Sequence, residues 1–233
     1  GFTGAAGAVG ILMEGLGNLE YRGYDSAGIS VFSEGKIRTV KARGRLQNLA
    51  DRLKESPLEG SCGIGHTRWA THGEPSDINA HPHGTEKLSL VHNGIIENYV
   101  ELREMLKEKG YSFVSQTDTE VAAKVLDFCY EGDPAAAIRR ASGMMEGAFA
   151  FGILFADRPG EIYAVRRGSP LIAALSPEGN FITSDVTAVL RHTRRYFTLE
   201  PEEIVRLTAD SAVVWGADGK EIQNEILTAD WNV

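Results

Sequence analysis

With 233 residues, 42% of them hydrophobic and 24% charged, the chain is long enough to bury one large core and has an ordinary globular composition. No apolar run approaches the roughly 18 residues of a membrane span, and a formal charge of -8 opposes nonspecific phosphate binding, which needs clustered Lys and Arg. The opening Gly1-Phe2-Thr3-Gly4 has no basic segment leading into an apolar one, and two cysteines make no disulfide framework, so a cytoplasmic chain with reduced thiols and no membrane or nucleic-acid partner is expected.

Val9, Leu12, Leu16 and Leu19 fall at helical spacing, and runs 28–32 and 36–43 flank Ser33-Glu34-Gly35 as a hairpin. Leu46, Leu49 and Leu53 mark a short helix. Apolar runs at 63–66 and 88–92 then bracket a connection rich in Gly, Pro, Asn and His, the composition of a functional loop. Ile95, Tyr99, Leu102 and Leu106 form a helical stripe. Thr117-Asp118-Thr119-Glu120 has capping-box spacing and opens a helix with Val121, Val125 and Cys129 on one face, making Cys129 a core thiol. Pro134 opens another helix. Strand-like runs follow at 148–155, 161–165, 171–175, 181–183, 204–207 and 212–215, with Ala217-Asp218-Gly219 as a hairpin turn and 221–233 as a tail. Strands at both ends with helices between predict an α+β fold of two antiparallel sheets covered by helices.

The chemistry concentrates in Cys62-Gly63-Ile64-Gly65-His66-Thr67-Arg68-Trp69-Ala70-Thr71-His72. The planar fork of Arg68 suits a substrate carboxylate or an internal salt bridge. Trp69 suits packing or the covering of a small substrate. Asn93-Gly94 carries a side-chain amide beside an unobstructed backbone N–H, the composition of an oxyanion hole and equally of a tight turn. Asp118 suits a helix N-terminus or a substrate ammonium group. Five of the six histidines lie between 66 and 92, and His81-Pro82-His83 raises a metal-dependent hydrolase as an alternative, although the spacing matches no zinc signature.

Leu19 through Gly28, His66 through Gly73, Asn79-Ala80-His81-Pro82-His83, Val91 through Asn98, Thr117-Asp118-Thr119-Glu120 and Gly168-Ser169-Pro170-Leu171 together resemble the glutaminase domains, class II glutamine amidotransferases, of glucosamine-6-phosphate synthases. The resemblance implies the N-terminal-nucleophile fold, a four-layer αββα sandwich, spanning 1–225, with 226–233 starting a linker to a sugar-isomerase region. It implies hydrolysis of L-glutamine to glutamate and ammonia for amination of fructose 6-phosphate, without cofactor or metal, in a homo-oligomeric full-length enzyme. Arg68 is matched to the glutamine α-carboxylate and Asp118 to its α-ammonium. Thr71 and His72 belong to the pocket, Trp69 to the loop that closes over it, and Asn93 and Gly94 to the oxyanion hole, with Arg22 and His81 as site support. Family members carry Cys-Gly-Ile-Val directly before the equivalent of Gly1, the cysteine being the nucleophile. The chain starts after that pattern, so the expectation is a nucleophile belonging to residues ahead of Gly1. The alternative is a glutamine-binding regulatory module without one. Cys62 opens a look-alike Cys-Gly-Ile-Gly but lacks the free α-amine that would act as base, and is expected to be a buried thiol.

Overall fold

A computed structural model describes residues 1–5 and 7–230. A three-residue strand, β1 (Phe2–Gly4), leads into α1 (Ala8–Leu19), which buries Ala8, Leu12 and Leu16 on one face. The hairpin of β2 (Ser26–Ser33) and β3 (Lys36–Arg43) turns at Glu34-Gly35, whose φ angles of 54° and 77° match the twist of the flanking strands. Next come α2 (Leu46–Glu55), β4 (Cys62–Arg68), β5 (His83–Gly84) and β6 (Leu88–Ile96). Three helices stand next in a row: α3 (Tyr99–Glu108), α4 (Asp118–Cys129) and α5 (Pro134–Met144). The chain then returns to strands: β7 (Gly147–Phe155), β8 (Ile162–Arg167), β9 (Ile172–Ser176) and β10 (Gly179–Thr183). The last five are β11 (Arg195–Thr198), β12 (Ile204–Leu207), β13 (Ala212–Trp215), β14 (Glu221–Ile222) and β15 (Leu227–Thr228).

Among the described residues these strands form two antiparallel sheets. One has the order β15-β11-β9-β10-β1-β4-β2-β3 and the other β14-β13-β12-β8-β7-β6-β5. Three apolar clusters define the layers. Phe2, Ile29 and Phe181 of the first sheet pack beneath Leu12, Leu16 and Leu49 of α1 and α2. Phe149, Phe151 and Phe155 of the second sheet pack beneath Leu106, Val125 and Ile138 of the other three helices. Ile64, Leu154, Ile162 and Ala173 lie between the sheets. The result is the expected α+β sandwich of helices, sheet, sheet and helices. Gly63 and Gly65 let α1 lie close on β4, since a Cβ at either would meet Leu12 or Leu16 at 3.0 Å. The Cys62-Gly63-Ile64-Gly65 pattern is thus explained by helix–sheet packing.

Three expectations need correction. The stripe starting at Ile95 is not helical from its first member: Ile95 and Ile96 pair with Ala148 and Gly147, so β6 runs to Ile96 and α3 starts at Tyr99. The capping box is made by half. Thr117 Oγ1 accepts the Glu120 N–H at 3.2 Å, but the Glu120 carboxylate turns to the N–H groups of Val114 and Ser115. The segment from Glu221 is no free tail: β14 pairs with β13 and β15 with β11, and Ala229 donates its N–H to Arg194 O at 2.8 Å. Within the expected linker 226–233, the last three residues lie outside the described residues. No helix among the described residues is long and apolar enough to cross a membrane.

Candidate active site

Strand alternation places Cys62, Ile64, His66 and Arg68 of β4 on one face, and Ile64 there packs against the second sheet. At the Arg68 end of β4 a cavity of about 320 Å³ opens beside β6 and the start of α4. Arg22, Arg68, Trp69, Thr71, His72, His81, Asn93, Gly94 and Asp118 all line it, bringing together the residues that the resemblance implies for the site. His66, Thr119, Thr183 and Ser184 also line it, although the sequence reading gives them no role there. A signal is present for Thr119, the hydroxyl next to Asp118 in the same cap, but Thr183-Ser184 carries none.

Asn93-Gly94 is not a turn. Both residues sit inside β6, opposite Ala150 and Phe149 of β7. Gly94 has φ 124°, and a Cβ there would stand 2.1 Å from Ala148 O, so only glycine fits. The Asn93 side chain is exposed to the cavity, with Oδ1 2.8 Å from His66 Nε2.

Arg68 is buried at 3% exposure, and burial works against its charge while Asp25 and Asp118 offset that cost. Its Nη1 donates to Glu74 O at 3.3 Å, and its Nη2 donates to Gly73 O at 3.0 Å and to His72 O. Arg68 therefore closes the 68–74 loop, and two of its five N–H donors remain for a ligand. Asp118 is buried at the first turn of α4. Its Oδ2 accepts the Ile96 N–H at 2.9 Å, while Oδ1 lies 3.8 Å from His72 Nδ1. Arg68 and Asp118 thus share one enclosure.

The loop over the cavity is anchored from below. The Asp25 carboxylate accepts the Ala70 N–H, and the Asp25 N–H donates to Arg68 O at 3.2 Å. Trp69 is 64% exposed and meets the Tyr24 ring edge-on at 5.8 Å. His72 packs edge-on against Tyr99 at 4.9 Å, and Thr71 Oγ1 lies 3.4 Å from its Nδ1. On the far side Arg22 and Tyr21 both reach Asp185 Oδ2, at 3.4 and 3.1 Å.

The histidines form a stack. His66 and His81 lie 4.1 Å apart and 13° from parallel, and His92 continues the stack 6.4 Å beyond His81. Thr119 Oγ1 lies 3.2 Å from His81 Nε2 and 3.0 Å from His92 Nδ1, and Thr117 Oγ1 lies 3.0 Å from His83 Nε2. Burial pushes His66 and His92 down to about 4, His83 to about 3, and His81 well below the ordinary imidazole value. One nitrogen of each ring lies within hydrogen-bond distance of a hydroxyl or the Asn93 amide. Among the described residues no three His, Cys, Asp or Glu side chains converge as a metal-binding group. Cys62 does not line the cavity. It is 1% exposed, its Sγ lies 3.9 Å from Glu161 O, and burial pushes the thiol up to about 11.

Residues 66–191, which hold most of this cavity, match the model of the glutamine amidotransferase domain. The chain belongs to that family. It is 49% identical to the glutamine--fructose-6-phosphate aminotransferase (isomerizing) of Clostridium acetobutylicum and 51% identical to that of Clostridium tetani, covering 100% of this chain and 38% of each relative. Identity to the enzyme of the same name from Thermus thermophilus is 46%, over 39% of that relative. The chain thus spans well under half the length of the curated relatives it matches. Among solved structures, a glutamine phosphoribosylpyrophosphate amidotransferase from B. subtilis aligns with a TM-score of 0.80 at 25% identity, over 93% of this chain and 48% of that one. A glutamine aminotransferase class-II domain protein from Silicibacter pomeroyi aligns with a TM-score of 0.64 at 14% identity, over 91% of this chain and 95% of that one, a likeness of fold.

Proposed function

We propose that the cavity binds L-glutamine and that this domain hydrolyses its side-chain amide to glutamate and ammonia, as the glutaminase part of a longer polypeptide whose sugar-isomerase region aminates fructose 6-phosphate. The observation that carries this reading is the shared enclosure of the Asn93 carboxamide with buried Arg68 and Asp118. It places a neutral N–H donor beside one positive and one negative group, the complement of a reacting amide on an amino-acid backbone.

In this reading Arg68 takes the α-carboxylate through its two remaining donors, and Asp118 Oδ1 takes the α-ammonium. Thr71 and His72 bound the pocket, Trp69 covers it, and Arg22 and His81 support its walls. The nucleophile is the cysteine that the family pattern puts four residues ahead of Gly1. Pairing of Phe2 with Gly63 and Thr3 with Cys62 sets the register of β1 on β4. Continued upstream, that register brings the fourth residue before Gly1 opposite Arg68, at the cavity. The thiol passes its proton to the cysteine's own α-amine, and sulfur attacks the amide carbon. Asn93 Nδ2 and the Gly94 N–H hold the oxyanion. The C–N bond breaks as the α-ammonium returns the proton to departing ammonia, and water then splits the thioester.

The test uses a chain carrying Cys-Gly-Ile-Val before Gly1 with the initiator methionine removed. It is expected to release glutamate from glutamine, and a glutamine-analogue electrophile is expected to label the terminal cysteine. Labelling at Cys62 overturns the assignment of the nucleophile. Glutamine binding without hydrolysis in this chain indicates a regulatory module instead.

A further inference from the structure

We propose that His66 is a positioning residue for hydrolysis: it grips the Asn93 carboxamide by its oxygen, so that the NH2 group is what Asn93 presents to the reacting carbonyl. The proposal rests on the glutaminase reading and adds a residue outside the set singled out for that reaction.

A carboxamide is nearly symmetric in shape but opposite in polarity at its two ends. Turned over, Asn93 would aim Oδ1 at the developing oxyanion and repel it. Exposed to the cavity, its end group needs a partner that distinguishes oxygen from nitrogen. His66 Nε2, 2.8 Å from Oδ1, is that partner when it carries the ring proton. The two residues stand on different sheets, His66 on β4 and Asn93 on β6, so the contact spans the sandwich.

The contact with Oδ1 is what selects this tautomer. Nδ1 of His66 is buried and makes no hydrogen bond. A proton there would leave Nε2 an acceptor, which repels Oδ1 at 2.8 Å and pulls the Asn93 NH2 toward itself. The doubly protonated ring is disfavoured as well, because His81 covers one face at 4.1 Å and burial in the imidazole stack opposes charge. A neutral ring with its proton on Nε2 fits the contact with Asn93 Oδ1.

The experiment is a double-mutant cycle in the chain carrying Cys-Gly-Ile-Val before Gly1, comparing unaltered protein, His66→Phe, Asn93→Ala and the double variant in kcat and KM for glutamine. His66→Phe keeps the stack and removes the donor. We expect kcat to fall on the order of 10- to 100-fold, less than for deletion of the oxyanion donor itself, with KM within about twofold. In the Asn93→Ala background the same change is expected to add nothing, and His66→Gln, which retains an N–H, is expected to recover part of kcat. A loss that persists unchanged without Asn93, or an unaltered kcat in His66→Phe, overturns the proposal. An unaltered kcat in Asn93→Ala fails the oxyanion-hole reading first, and the proposal with it. Nitrogen NMR of the unaltered protein reads the tautomer without any variant: a proton on Nε2 is expected, and one on Nδ1 overturns the proposal.

Discussion

In its proposed role Asn93 donates where charge exists only transiently, so its removal is expected to be felt in turnover rather than in binding. Asn93→Ala is expected to cut kcat by roughly 10² to 10³ with little change in KM, measured in the chain carrying the N-terminal cysteine. Arg68 differs because it holds the carbonyls of residues 72–74 and, on the proposed reading, a ligand carboxylate as well. Arg68→Ala is expected to weaken glutamine binding by about 2–5 kcal/mol and to lower the thermal midpoint as well, read by calorimetric titration and thermal unfolding. A loss of stability with unchanged affinity would make the residue purely structural. Cys62→Ser is expected to leave hydrolysis nearly unaltered. The gathering of Arg68, Asn93, Gly94 and Asp118 in one cavity is foreshadowed by the family resemblance, whereas each residue type alone leaves a structural use open. Partnership is not foreshadowed. Nothing local says that Arg68 would tie down its own loop, or that His66 would meet an amide 27 positions away on the other sheet.

The elements legible in the sequence are those with their own periodicity or punctuation. Leu12 and Leu16 announce α1, Asp133-Pro134 opens α5, and Glu34-Gly35 turns the first hairpin. The strands without such a signal, β1, β5, β11, β14 and β15, are two to four residues long and exist because a neighbour supplies hydrogen bonds. Ile95 reads as helical because apolar spacing cannot reveal that β7 extends far enough to pair with it. Two substitutions test the element ends that shape the site. Gly94→Ala forces an alanine to φ 124° with its Cβ 2.1 Å from a carbonyl oxygen, and more than about 2 kcal/mol of destabilisation is expected in denaturant unfolding. Thr117→Ala removes the cap of α4 and the hydroxyl beside His83. About 1–2 kcal/mol is expected to be lost, with Asp118 less firmly placed and glutamine affinity reduced in proportion.

On the scale of the whole molecule, four imidazoles sit between or beneath the sheets with their protonation suppressed by burial. Their unfolded value is about 6.5, so between that pH and about 4 the unfolded chain binds more protons than the folded one. Stability from these rings is therefore complete above about pH 6.5 and is lost as pH falls through that window. Thermal midpoints measured from neutral pH downward should fall across it, before the carboxylates titrate, and a flat profile would mean that the rings accept protons within the fold. The four-layer plan is foreshadowed by strands gathered at both ends of the chain, but their order is not, because adjacency in a sheet is fixed by contacts between distant segments. The strand β1 is the extreme case. Phe2 pairs with Gly63 on one side and with Phe181 on the other, and among the described residues β1 alone joins the β4-β2-β3 half of the eight-stranded sheet to the β10-β9-β11-β15 half. This strand must therefore wait for a partner almost 180 residues downstream. During synthesis the helices and the β2–β3 hairpin can form as they emerge, but the sheet closes only once β10 has left the ribosome, which makes completion of this fold a late, non-local event.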